Sequence, residues 1–147
     1  MVKITRWISL IERCSYEYRN LEFKELGLGP THHLYILYLC KNPGVSQDVI
    51  TKVLHLNKSN VTRNLQTLQD NGFIEKKVDE TDKRSHLIFP TDKAFMIRPK
   101  ILEKMHKWND IILDGLSEED KELLLLWLKK ITDNACKYID DNVVEDM

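Results

Sequence analysis

Cysteine and glycine are scarce in this chain, its charges nearly cancel, and no apolar stretch in it is long. It has three cysteines, Cys14, Cys40 and Cys136, so far apart that they form neither a CxxC pair nor a zinc-ligand spacing. A disulfide framework and a structural metal are therefore not expected. Its five glycines are too few and too scattered for a dinucleotide fingerprint or a P-loop, and they fall where helices and loops end. Neither a GxSxG elbow nor an HExxH pair occurs, so no catalysis and no cofactor are expected. No apolar run approaches the ~20 residues of a membrane span. The opening MVKITRWISLIER is interrupted by charges, unlike a secretory signal, and the expected location is the cytoplasm, away from membranes. At 147 residues, 42% of them hydrophobic, the chain is one domain's worth with ample material for a core.

What the sequence does have is concentrated in residues 45–91, VSQDVITKVLHLNKSNVTRNLQTLQDNGFIEKKVDETDKRSHLIFPT. Spacing predicts two short helices, with Val49, Val53 and Leu56 on one face of the first and Val61, Leu65 and Leu68 on one face of the second. Ser46 and Asn57 can cap them by offering side-chain oxygens to free backbone N–H groups. Only a tight turn around His55 and Leu56 separates the two. So short a connection holds one helix across the other, the arrangement that lets a helix enter a major groove.

With Val61, Leu65 and Leu68 turned inward, a step of 100° per residue puts Ser59, Arg63 and Gln66 nearly opposite, with Asn60, Thr62 and Thr67 on the flanks. Side chains of these types read base edges: Arg pairs with guanine, Asn or Gln with adenine. Arg63 is the first candidate for a base contact. After Gly72 a short strand is predicted over residues 73–78, then a DETDKRS turn, then a returning strand over 86–89. That makes a charged hairpin tip. Asp82 is placed to orient the Arg84 guanidinium, while Lys83 and Arg84 can reach phosphates or a minor groove.

Together with LGPTHHLYILYL before it and GLSEEDKELLLLWLKKI near the end, this stretch resembles the MarR-type bacterial transcriptional regulators over roughly residues 28 to 131. The resemblance implies a mostly α fold, a winged helix-turn-helix with a small β-hairpin wing and flanking helices that form a dimerisation region. It further implies an obligate homodimer on a palindromic double-stranded DNA operator, usually repressing and often released by a small molecule or an oxidant. The recognition role then falls on residues 58–66, with Lys58, Ser59, Asn60, Thr62, Arg63 and Gln66 as DNA contacts, and the wing role on Asp82, Lys83 and Arg84. Where the family usually has Gly in the turn this chain has His55, and Pro90 and Ala94 replace the usual Leu and Gly after the wing.

Around this reader (residues 30–91) the sequence predicts dimerisation helices over residues 1–28 and 114–147. Ile4, Ile8, Ile11, Tyr18 and Leu21 form one stripe; Leu116, Leu123, Leu124, Trp127, Leu128, Ile131, Ala135 and Tyr138 form another. Both exceed what so small a reader can cover, and the surplus is assigned to a two-fold partner. Ser117 and Asp120 form a capping box at the start of the last helix. Between them, residues 92–113 read as a connecting helix capped by Thr91, with a kink or break expected near Arg98 because Pro99 removes a backbone donor. A bend there would change the separation of two recognition helices.

The net charge of -1 is weak for a DNA binder, but its distribution is uneven. Residues 52–84 hold seven Lys or Arg against five acids, and residues 118–147 nine acids against four Lys, so the acidic end should face away from DNA. In the family a small aromatic anion often sits beside the helix before the reader, where His32 and His33 could line a pocket. Adjacent positions point about 100° apart, so at least one of the two is expected at the surface and a metal site from both is not expected. Cys14, close to Tyr16 and Tyr18, is the candidate for an oxidant-sensing thiol, against the plainer reading of a small core residue beside Leu10 and Ile11. The reading from a different class is a winged helix that docks only proteins, without sequence-specific DNA binding.

Overall fold

The structure, a computed structural model, describes residues 3–143. It divides into two compact units at Trp108 and Asn109. The acids at 145 and 146, and the end of the predicted C-terminal dimerisation segment, lie outside the described residues.

The first unit opens with α1 (Ile4–Glu22), followed by a 3-10 turn (Lys24–Leu26), α2 (His32–Lys41), α3 (Gln47–Val53), α4 (Lys58–Asp70), β1 (Ile74–Val78), β2 (His86–Pro90) and the greater part of α5 (Asp92–Ile112). Its core gathers Phe23, Tyr35, Ile36, Leu39, Ile50, Val61, Leu65, Leu68, Phe73 and Ile88, all at most 1% exposed. Val61, Leu65 and Leu68 are the stripe read from the sequence, and they seat α4 against α2, α3 and β1. Of the face read for α3, only Leu56, beyond the helix end, packs on the core. Ile50 is fully buried and Leu54 packs on the core, while Val49 and Val53 are 40% and 50% exposed. A two-turn helix offers two i,i+4 apolar pairs, 49/53 and 50/54, and its contact with α4 selects the second.

Both predicted caps form. Ser46 Oγ accepts from Val49 N–H at 3.3 Å, and Asn57 Oδ1 accepts from the N–H groups of Ser59 and Asn60 at 2.9 and 3.4 Å. His55 takes a left-handed backbone (φ 51) in the turn between them. β1 and β2 pair antiparallel, Ile74 opposite Pro90 through Val78 opposite His86. One pairing was not foreseen: Val45 bridges Ile88, with Ile88 N–H donating to Val45 O at 2.8 Å and Gly44 N–H to Ile88 O at 2.9 Å. Gly44 is required there, because it lies at φ +79 and a Cβ would meet the Phe89 ring at 3.1 Å.

α1 buries a different face from the one its apolar residues suggest. Ser15 is its one buried residue and accepts a hydrogen bond from Trp108 Nε1 at 2.9 Å. Tyr18 stacks on the Trp108 ring at 4.7 Å and donates to Lys104 O at 2.9 Å. Glu22, one turn on, meets Lys104 Nζ at 3.0 Å. Ile4, Ile8, Ile11 and Leu21 remain 41 to 75% exposed. α5 runs through Pro99 as one helix, so of the expected kink or break the break does not form; what proline removes is the single N–H that would donate to the Phe95 carbonyl. Nor does Thr91 cap α5 with its hydroxyl, which donates instead to Gly72 O at 2.6 Å. The Thr91 carbonyl takes the Ala94 and Phe95 N–H groups.

The second unit holds the end of α5 and α6 (Glu118–Val143). Ser117 and Asp120 make the predicted capping box, Ser117 Oγ accepting from Asp120 N–H at 3.1 Å and Asp120 Oδ2 from Ser117 N–H at 3.4 Å. No residue of α6 is buried; Leu123, Leu125, Leu126, Trp127 and Tyr138 are more than half exposed. Among the described residues no helix is long and apolar enough to cross a membrane.

Candidate nucleic-acid interface

With its apolar stripe against the core, α4 leaves Lys58, Ser59, Asn60, Thr62, Arg63 and Gln66 exposed on one side. An open hollow of about 700 Å³ runs along that side, lined by Lys58, Ser59, Thr62, Arg63, Gln66 and Thr67. Its side chains are held rather than loose. Arg63 Nη2 donates to Asn60 Oδ1, and Gln66 Nε2 donates to Asp70 Oδ1 at 2.8 Å. Thr62 Oγ1 donates to the Lys58 carbonyl at 3.0 Å and accepts from Gln47 Nε2 at 2.6 Å. Gln47 and Asp70 were not foreseen as parts of this surface. The Gln47 contact joins two helices and has no local sequence signal, whereas Asp70 lies one turn from Gln66, a spacing that is readable in hindsight.

The wing tip is built from short side-chain-to-backbone bonds of the kind Asp makes in turns. Asp79 Oδ1 accepts from the Thr81 N–H and hydroxyl at 2.9 and 2.7 Å, which holds its carboxyl below the usual carboxylate range. Asp82 Oδ1 accepts from the main-chain N–H of Arg84 at 3.1 Å. The expected contact with the guanidinium is thus replaced by one with the backbone: Asp82 shapes the turn, and the exposed Lys83 and Arg84 side chains extend from it. A smaller hollow of about 180 Å³ lies between the wing and the start of α3, with Lys76, Arg84, His86, Gln47 and Asp48 in its wall. Lys76 and His86 share the strand face that carries the buried Ile74 and Ile88, and alternation brings these two side chains to that wall.

His32 and His33 lie elsewhere. Both are buried, 8% and 4% exposed, contrary to the expectation that at least one would reach the surface. α2 is packed on more than one side, so directions 100° apart both end in protein. His32 Nδ1 accepts from Gly29 N–H at 2.9 Å, and burial lowers its pKa against a hydrogen bond with Asn64 that raises it. Burial, with the Arg19 charge second, pushes His33 down to about 4 despite a bond to the Pro30 backbone. Asn64 also donates to the Tyr35 hydroxyl at 3.2 Å, so this cluster ties α2 to α4. Cys14 is exposed on α1, not a core thiol, and all three cysteines are free. Among the described residues no group of His, Cys, Asp and Glu could hold a metal ion.

Helix, tight turn, protruding helix and hairpin in this order define a winged helix-turn-helix protein. Residues 26–85 match the family model for the MarR family. The chain is 31% identical over 112 residues to the HTH-type transcriptional regulator BilQ of Clostridium symbiosum, covering 76% of each. It is 29% identical over 134 residues to YybA of Bacillus subtilis, an uncharacterised HTH-type transcriptional regulator, covering 91% of this chain and 89% of that one. Among solved structures, a MarR family regulator of Listeria monocytogenes complexed with 26mer DNA superposes with a TM-score of 0.87 at 30% identity, covering 97% of each chain. This chain belongs to the MarR family of transcriptional regulators.

Proposed function

We propose that the protein reads a specific double-stranded DNA sequence as a homodimer on a palindromic operator, acting in the cytoplasm as a repressor that a small-molecule or oxidant signal releases, and that it is not an enzyme. The observation that carries DNA reading is the exposed polar face of α4, capped by Asn57 and braced from α3, beside a wing tip bearing Lys83 and Arg84. The Listeria relative solved with DNA supports it. In this reading Arg63 and Gln66 meet base edges, while Lys58, Ser59, Lys83 and Arg84 meet phosphates or the minor groove. Two open apolar faces support the dimer: Ile4, Ile8 and Ile11 on α1, and Leu123, Trp127 and Tyr138 on α6. A second copy covering them removes apolar area too extensive for a stable monomer surface.

Enrichment of a randomised duplex pool on the purified protein, followed by titration of the enriched sequence, tests this. Arg63→Ala should relax preference at one base pair per half-site, a loss of about 1–3 kcal/mol in discrimination. Arg84→Ala should weaken all duplexes evenly and lower the salt slope by about 1 per half-site. A winged helix that docks only proteins would enrich nothing and be indifferent to both changes.

A further inference from the structure

We infer that Thr62 reads DNA with its methyl group, at a thymine, and that Gln47 is the positioning residue that turns this methyl outward; the inference rests on the DNA-reading function proposed above. A threonine hydroxyl has one proton and two lone pairs. Here the proton goes to the Lys58 carbonyl at 3.0 Å, and one lone pair takes the Gln47 Nε2–H at 2.6 Å. Such a hydroxyl has no donor left for a base.

Helical threonine divides between two χ1 rotamers because Oγ1 can bond back to the preceding turn. Gln47 adds a second bond to Oγ1 in the back-bonded rotamer and so favours it. Thr62 is exposed and lines the α4 hollow together with Ser59, Arg63 and Gln66. With its proton given to the Lys58 carbonyl and one lone pair taken by Gln47, the hydroxyl keeps a single lone pair, and Cγ2 is the apolar group this side chain has for that surface. In the major groove the apolar feature that a methyl can match is the C5-methyl of thymine. The face thereby divides its labour: Arg63 and Gln66, which have further N–H groups to give, take hydrogen-bonding edges, and Thr62 takes a methyl.

The test uses the full-length protein and the duplex it enriches from a randomised pool, with each thymine of a half-site replaced in turn by deoxyuridine, which lacks only the C5-methyl. One replacement should weaken wild-type binding about fourfold, the worth of one buried methyl group. Thr62→Val, which keeps the methyl and loses the hydroxyl, should retain that ratio, and Thr62→Ser, which does the opposite, should bring it to about one. Gln47→Ala should lower the ratio in the wild-type background and leave it unchanged in Thr62→Val, where there is no hydroxyl to hold; equal effects in both would remove Gln47 from the account. Full discrimination by Thr62→Ser, or an enriched site insensitive to every deoxyuridine, overturns the methyl reading while the DNA reader stands. Failure of the wild type to enrich any sequence overturns the reader itself.

Discussion

His33 sits where a charge is costly: it is 4% exposed, its ring is tilted against Phe23, the Arg19 guanidinium acts on it, and among the described residues its Nδ1 meets no hydrogen-bond partner. Its pKa of about 4 in the folded chain lies below the 6.5 of an ordinary histidine, so the unfolded chain takes up this proton first as pH falls. The neutral ring's contribution is complete above about pH 6.5 and is lost as pH falls toward about 4, at most about 3 kcal/mol in all. Urea unfolding across that window should show a wild-type stability falling more steeply with acid than that of His33→Gln; identical slopes would place the proton elsewhere. The sequence could not reveal this, because periodicity gives a side chain's direction but not the number of neighbours waiting there. Arg63 and Gln66 were legible for the opposite reason: a face opposite a strong apolar stripe needs no neighbour to be known. Gln47 and Asp70, which hold that face in position, are visible only once helices are packed.

At the scale of elements, the caps are the features that sequence chemistry fixes most directly. Asn57→Ala should cost about 1 kcal/mol, and Asn57→Gly only a few tenths, in urea melts. Because α4 begins at Lys58, fraying after Asn57→Ala should weaken DNA binding beyond the loss of stability, measurable as reduced operator affinity at a temperature where the variant is fully folded. The helix boundaries, the hairpin and the α6 capping box follow from such local rules. Elements placed by tertiary contact were less legible. The two i,i+4 pairs of α3 were degenerate until α4 chose Ile50 and Leu54. The Val45 bridge joins a residue before α3 to the wing, and α1 packs its Ser15, Tyr18 and Glu22 side on α5 through polar contacts although its isoleucines lie on another face. Pro99 did not break α5, since one missing bond leaves the rest of a long helix in place.

At the scale of the whole molecule, the near-zero net charge means that affinity cannot come from a uniformly basic surface. The reader (residues 30–91) carries a small excess of positive charge, eight Lys or Arg against six acids, while the apolar faces of α1 and α6 lie open in the single chain. The proposed pair of chains, each contributing one half-site, answers both the modest charge and the uncovered apolar faces. A symmetric pair fixes the distance between its two recognition helices, and so the half-site spacing, at about 10 base pairs centre to centre. The most direct measurement is sedimentation of the protein with its enriched duplex, before and after five base pairs are inserted between the half-sites. The account predicts two protomers per duplex and a collapse of affinity when the insertion turns one half-site to the opposite side of the helix. One protomer per duplex, with affinity unchanged by the insertion, would contradict it.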